Sequence, residues 1–205
     1  MSDEADQNQS YDTGMDGFFN TTVNQRTVAE ANKFRTIPGG SYDVRLKKAE
    51  PHYGDNAQFV SSYQRWIVRC GADVYVLNEE TGEPRRLGSV LFDLSPEERT
   101  YEESGDLDKM SKLWGQAVGA LVKRGALKGD EKTGIPEEGL TNKEVIASIL
   151  ETPIRIYVSE HFTVEGDNGR FKNIYVRSDD ERSEAKKSGH TLKNGVQTIA
   201  VYVEA

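Results

Sequence analysis

The feature that most constrains the fold is an alternation of apolar with basic or aromatic side chains in three separate segments. At 63–70 the even positions are predicted to face a core; they are Trp66, Val68 and Cys70. The odd positions are predicted to face outward; they are Tyr63, Arg65, Ile67 and Arg69. The same split recurs at 154–158 and 171–177. Because successive strand side chains point to opposite faces, the pattern predicts a sheet with one buried face and one face of cations and rings.

The outward positions of these segments, with two from an earlier strand, form the candidate binding surface. Its members are Arg45, Lys47, Tyr63, Arg65, Arg69, Arg155, Tyr157, Phe171, Tyr175 and Arg177. Cations that neutralise phosphates, together with rings that stack on bases, are what single-stranded nucleic acid requires. The alternative interpretation is an ordinary solvated sheet face. A bulge near Cys70 and Gly71 would exchange the two faces downstream and change part of this list.

The chain of 205 residues is predicted to be one domain with an extension. Residues 1–36 are predicted to be a flexible acidic and polar arm, and residues 37–205 an OB-like nucleic-acid-binding domain. Strands are predicted at 41–50, 59–70 with a continuation to 77, 86–94, 154–163, 170–178 and 195–204. A long helix is predicted at 106–125 with Asp106 as its N-cap, and a short one at 142–150 opened by a Thr141–Glu144 capping box. A helix is also predicted to begin at 95–98, with Pro96 at its first position. Residues 179–194 are predicted to be a loop.

This order predicts a mainly β fold, an OB-like Greek-key barrel with one long and one short helix between strands three and four. Five segments resemble those of a known family; they are 40–47, 63–70, Lys112-Leu113-Trp114-Gly115-Gln116-Ala117, 154–158 and 168–174. Over residues 37–178 the chain resembles the phage-encoded OB-fold single-stranded DNA-binding proteins. That resemblance implies a role in phage DNA replication or recombination in the host bacterial cytoplasm. Many such proteins end in an acidic docking tail, whereas this chain ends in a strand-like segment at 196–203.

The bulk charge opposes a simple nucleic-acid binder, because the net charge is −8 and the pI is about 5.0. A local basic groove matters more than the sum, so the expected function is coating and protecting single-stranded DNA with little sequence preference. Coating implies self-association or cooperative assembly on the strand. The acidic N-terminal arm is expected to dock replication or recombination proteins. The alternative is a phage structural or assembly protein that does not bind nucleic acid, which suits the acidic pI.

Sequence motifs for catalysis, metals and membranes are missing. His52, His161 and His190 are isolated, although His161 shares the predicted face of Tyr157. There is no phosphate-binding Gly-x-x-x-x-Gly-Lys-Ser/Thr loop and no Gly-x-Ser-x-Gly elbow, and the acidic run at 97–108 reads as a solvated loop rather than a two-metal nuclease site. We therefore predict no enzyme activity, no cofactor and no metal. The single cysteine, Cys70, is predicted to be buried, and with no apolar run near 18 residues a cytoplasmic location is expected.

Overall fold

In the part of the chain that the structure describes, two larger antiparallel sheets, one short two-stranded hairpin and three helices form the regular structure. The computed structural model describes residues 36–54, 65–100, 104–166, 169 and 171–202. Within them the strands are β1 (Gly40–Val44), β2 (Leu46–Gly54), β3 (Arg65–Leu77), β4 (Pro84–Leu94), β5 (Gly129–Asp130), β6 (Ile135–Pro136), β7 (Ile154–Glu165), β8 (Phe171–Val176) and β9 (Lys193–Val201). The helices are α1 (Lys109–Lys123), α2 (Asn142–Glu151) and α3 (Asp179–Lys187). The predicted mainly β class is confirmed, and so are a long and a short helix between the third long strand and β7.

The strand β7 organises the larger sheet. Its residues 154–161 pair with β9 along one edge. On the other edge β1 pairs with residues 154–158 and β8 with residues 160–165. Only Ser159 of β7 therefore lies between the ends of β1 and β8. The second sheet has the order β2-β3-β4, and β5 pairs with β6 in a short hairpin.

The chain passes from one sheet to the other at Arg45. Val44 pairs with Ile154 of β7, whereas Leu46 pairs with Ala72 of β3. The sequence predicted a single strand at 41–50. The structure divides that strand at Arg45 and continues β2 to Gly54, because β2 stays paired with the first residues of β3.

The apolar face of β3 packs against the apolar face of β7 to form the core. Val68, Cys70, Ala72 and Val74 keep one face of β3, so no bulge in β3 exchanges its faces before Val74. The irregularity near this point belongs to β2, between Leu46 and Lys48. Ile154, Ile156 and Val158 supply the same core from β7, and each buried aliphatic side chain stabilises the fold by about 1.5–3 kcal/mol. The predicted burial of Cys70 is confirmed, and this burial raises the pKa of its thiol to about 12.

The long helix begins two residues later than its sequence predicted. Asp108, not Asp106, is the N-cap of α1, and its carboxylate accepts a hydrogen bond of 2.7 Å from the backbone N–H of Ser111. The helix buries Leu113, Ala117 and Leu121, and packs against β9. The predicted capping box of Thr141 and Glu144 at the start of α2 is confirmed.

Two predictions about polar segments are wrong. Residues 179–187, predicted as loop, form α3, because Ser178 caps the helix and acidic side chains fill the first turn with lysines in the last. Only Ala185 of α3 is buried, so the hydrophobic periodicity that reveals most helices is missing. Conversely, no helix begins at Pro96, since residues 95–100 run as bends and a short bridge. The predicted N-terminal arm lies outside the described residues up to residue 35.

The helices described here are all too short or too polar to serve as membrane spans.

Candidate nucleic-acid interface

Three exposed aromatic rings lie on the outer face of the larger sheet. Tyr157 is at an odd position of β7, opposite to the buried face. On β8, Tyr175 pairs with His161 and Phe171 pairs with Glu165, which are odd positions too. The exposed fractions of Tyr157, Tyr175 and Phe171 are 44%, 43% and 69%. We call these three side chains the ring face; its members on β8 are four residues apart, or about 13 Å along the strand.

A cleft opens beside the ring face near Ser159 of β7, between the start of β1 and the end of β8. Its volume is about 790 Å³, which is within the range of sites that hold a drug-sized ligand. Tyr157 and Tyr175 both line it, and Ser159 and Gln197 contribute polar groups. The remaining lining residues are Pro38, Gly39, Val176, Arg177, Ser178, Asp179 and Arg182. The cleft therefore combines two rings with Arg177 and with Arg182, whose guanidinium is ion-paired with Glu160 and with Asp179 of the same lining.

Four of the predicted binding cations are held by carboxylates: Arg65 in a buried pair with Asp108, and three others in more exposed pairs. The Arg155 guanidinium donates to both carboxylate oxygens of Asp43 at 2.7 and 2.8 Å. The Arg69 guanidinium contacts Asp93 at 3.1 and 3.3 Å, and Lys47 forms an ion pair with Asp73. These pairs locally neutralise charge that the sequence pattern assigned to a ligand.

The carboxylate of Asp73 is the centre of a network on the outer face of the smaller sheet. Arg86 donates to it at 3.0 Å, Lys47 pairs with it, and Ser89 donates at 2.6 Å. Hydrogen bonds from Arg86, then Lys47, then Ser89 hold the pKa of Asp73 well below its ordinary value. This face is therefore mixed in charge, and its cations are engaged with its own carboxylates.

The predicted orientations of Arg65, Trp66 and Ile67 are wrong. Arg65 and Ile67, predicted to face outward, are each 1% exposed. Arg65 forms an ion pair with Asp108, so the N-cap of α1 contacts this face of β3 at Arg65. Trp66, predicted to face inward, is 55% exposed and packs edge-on against Tyr53 with ring centroids 5.5 Å apart.

The exposure of Trp66 follows from the length of the β2–β3 hairpin. Tyr53 pairs with Trp66, and Ala49 pairs with Cys70 on the same side of the sheet. Ala49 and Cys70 are buried, whereas Tyr53 is 47% exposed. The apolar side of this hairpin therefore continues past the end of the core.

The structure thus brings together only part of the predicted set. Tyr157, Tyr175, Phe171 and Arg177 lie around the cleft and the ring face, and Arg155 shares that face in its ion pair. Arg65, Arg69 and Lys47 belong to the smaller sheet. Arg45 is exposed at the crossing between the sheets, and Tyr63 lies outside the described residues. Within the described ranges no carboxylate pairs with the guanidinium of Arg45 or Arg177.

Two lysines and a glutamine that the sequence did not single out for this site lie beside the ring face. Lys193 pairs with His161 across β7 and β9. The Lys109 ammonium donates to the amide oxygen of Gln197 at 3.0 Å. A strand predicted two residues longer at its start would have placed Lys193 opposite His161. No local signal relates Lys109 to Gln197, because 88 residues separate them.

A second cavity, of about 640 Å³, is acidic. Its lining includes Glu137, Glu138, Glu144 and Glu151, with Lys128 as the basic side chain. Such a lining repels a polyanion, so this cavity does not suit nucleic acid. Among the residues that the structure describes, no three His, Cys, Asp or Glu side chains are grouped to hold a metal ion.

Comparison of the chain with protein-family models, with curated proteins and with solved structures found no match.

Proposed function

We propose that this chain binds single-stranded DNA with little sequence preference, and that the strand lies across the ring face and the adjoining cleft. The observation that carries the proposal is the alignment of Tyr157, Tyr175 and Phe171, all exposed, on one face of β7 and β8 beside Arg177. Exposed rings at strand positions offer stacking platforms, and every base has a face that can stack. A platform of this kind needs no hydrogen-bond code, which accounts for weak sequence preference.

An OB-like barrel is the architecture that we propose for the domain. Three features support it. The strand that crosses at Arg45 takes part in both sheets, α1 lies between β4 and β7 in chain order, and β9 contacts β4 on the far side. A bent first strand and a helix after the third strand are typical of a partly open five-stranded Greek-key barrel.

The electrostatic contribution in this proposal is small, because many cations are already paired. The cations near the ring face without a carboxylate partner within the described ranges are Arg177, Lys109 and Lys193. Each phosphate contact on a single strand lowers log K by about 0.7 per log unit of salt, so three contacts predict a slope of about −2. Stacking, at about 1–3 kcal/mol per base, then supplies most of the affinity.

The biological context of the proposal comes from the resemblance in element order to phage-encoded single-stranded DNA-binding proteins. On that basis the chain coats and protects single strands during phage DNA replication or recombination, without catalysis. Coating requires cooperative assembly, and the acidic N-terminal arm is assigned to docking of replication or recombination proteins.

The test is a titration of fluorescent oligothymidine with the wild type and three variants. Tyr157→Ala and Tyr175→Ala should each weaken binding about 5- to 150-fold, which corresponds to the loss of one stacked base. Tyr75→Ala is the matched control, because Tyr75 is 46% exposed but lies on β3 of the smaller sheet. Equal losses for all three variants, or wild-type affinity in both ring-face variants, would refute the proposed site.

A protein-interaction role is the second candidate, and exposed apolar side chains of the smaller sheet favour it. Leu77 and Leu91 are 71% and 65% exposed on β3 and β4. The engagement of Arg69, Arg155 and Lys47 by carboxylates also fits a surface that does not bind a polyanion. If the wild type does not bind oligothymidine even at low salt, an assembly role replaces the DNA-binding proposal.

A further inference from the structure

A cluster of basic side chains, without a carboxylate partner in the part of the chain that the structure describes, lies beside the ring face. His161 of β7 pairs with Lys193 of β9 on one side and with Tyr175 of β8 on the other, so the three side chains form a row across the sheet. The rings of His161 and Tyr175 are 5.7 Å apart. Lys109, at the start of α1, reaches the same region through its hydrogen bond to Gln197.

Three positive or protonatable groups so close together repel one another. Burial, then the charges of Lys109 and Lys193, lower the pKa of His161. Lys109 is exposed as a residue, yet the surroundings of its ammonium group are sheltered enough to lower the pKa of that group by burial. The acidic residues next to the cluster in sequence are engaged elsewhere. Glu160, next to His161, faces the opposite side of the sheet and accepts a hydrogen bond of 2.6 Å from Arg182, and Asp108, next to Lys109, pairs with Arg65. The cluster therefore lacks an internal counter-ion among the described residues.

The hydrogen bonding of His161 leaves a donor for a ligand. Its Nδ1 is buried without a partner, so protonation at Nδ1 would bury an unsatisfied N–H. The neutral tautomer with hydrogen on Nε2 avoids that cost. Nε2 is not enclosed and has no protein partner within the described ranges, so its N–H is available to an acceptor.

The absence of a side chain at Gly195 leaves room for the imidazole of His161. A Cβ at this position would lie 3.2 Å from Cε1 of His161 and 3.4 Å from Nε2 of Gln197. Gln197 in turn donates to the hydroxyl of Ser159, which lines the cleft. The cluster is thus held by packing and polar contacts, and it adjoins the cleft through Ser159 and Gln197.

We propose that His161, Lys109 and Lys193 form an oxyanion subsite that binds a phosphate group, with the ammonium groups supplying charge and the imidazole N–H supplying a directed hydrogen bond. We favour a phosphodiester of a DNA strand stacked on Tyr175 as the source of that phosphate group, and this choice rests on the proposed function. A free phosphate ion has the same chemistry. The two sources are separated by experiment.

The experiment follows the imidazole resonances of His161 by NMR during pH titrations of the full chain. Sulfate, which stays ionised throughout, serves as the small oxyanion, with sodium chloride at equal ionic strength as the reference. Oligothymidine is the second ligand, and the imidazole of His52 on β2 is the internal control. A bound anion should raise the pKa of His161 by about one unit in either titration.

Variants assign the effect to the cluster. Lys193→Gln should remove most of the response of His161 to sulfate and reduce the salt slope of oligothymidine binding by about 0.7. Lys143→Gln, which removes an exposed lysine from α2, is the matched control and should change neither quantity.

The outcomes separate the subsite from the proposed function. A response of His161 to sulfate in a chain that does not bind oligothymidine supports an oxyanion subsite for free phosphate and refutes the DNA-binding proposal. Binding of oligothymidine with no response of His161 to either ligand overturns the subsite and leaves the proposed function standing. Equal responses in Lys193→Gln and the wild type also overturn the subsite.

Discussion

The sharpest stability prediction concerns the buried ion pair of Arg65 and Asp108. The side chain of Arg65 is 0% exposed, and its Nη1 donates a hydrogen bond to the carboxylate of Asp108. The Nε and Nη2 atoms of Arg65 are buried without partners. The same carboxylate caps α1, so Asp108→Ser removes the counter-charge while keeping a good N-cap. We expect Asp108→Ser to lower the free energy of unfolding by about 3–5 kcal/mol, the cost of stranding a buried charge.

The double variant Arg65→Met/Asp108→Ser isolates the charge effect. Replacing a buried pair by an apolar side chain is neutral or stabilising by about 1–4 kcal/mol, so the double variant should regain most of the stability lost in Asp108→Ser. The assay is urea unfolding, followed by far-UV circular dichroism, of Arg65→Met, Asp108→Ser, the double variant and the wild type. Asp108→Ala, which removes cap and charge together, should cost about 1 kcal/mol more than Asp108→Ser.

Two results would refute this reasoning. One is a loss below about 1 kcal/mol in Asp108→Ser, which would mean that water or another group solvates the guanidinium. The other is a double variant no more stable than Asp108→Ser. Asp108→Ser itself will not fold if the domain is near the low end of the usual stability of about 5–15 kcal/mol. In that case a folded double variant supports the prediction, and a double variant that also fails to fold contradicts it.

Three further predictions follow from the described contacts. The Cys70 thiol, whose pKa burial raises to about 12, should resist thiol reagents at pH 8 in the native state and react fast only in denaturant; fast native reaction would contradict its burial. Asp73 has a pKa lowered below 3.8 by Arg86 and Lys47, so its stabilising effect is present above that pH and is lost as pH falls below it. Asp73→Asn should therefore flatten the acid side of the stability curve, and an unchanged acid limb would count against the network. Thr141→Ala should cost about 1 kcal/mol in urea unfolding by removing the capping box, and no loss would show that α2 does not depend on its cap.

Local patterns determined most of the secondary structure. Alternation identified β7 and the core side of β3, and the Thr141 capping box located the start of α2. These signals are local, since they depend on neighbours within about four residues. The helix α3 was missed because its stabilisation comes from a cap and from charges at its ends, with only Ala185 buried.

The candidate site was harder to predict, because the fate of an exposed-looking arginine depends on distant partners. Arg155 meets Asp43 from 112 positions away, and Arg65 meets Asp108 from 43 positions away. The strand period fixes which face a side chain takes but says nothing about what covers that face. That is why Arg65 was assigned to the surface, whereas the outward orientations of Tyr157 and Tyr175, which are 44% and 43% exposed, were predicted correctly.

The location of the bound strand is tested most directly by photocrosslinking oligothymidine to the full chain and identifying the crosslinked residues by mass spectrometry. Our account predicts crosslinks at Tyr157, Tyr175 or Phe171, and their loss in excess unlabelled oligothymidine. Crosslinks confined to Tyr53, Trp66 or Tyr75 would place the strand on the smaller sheet and contradict it.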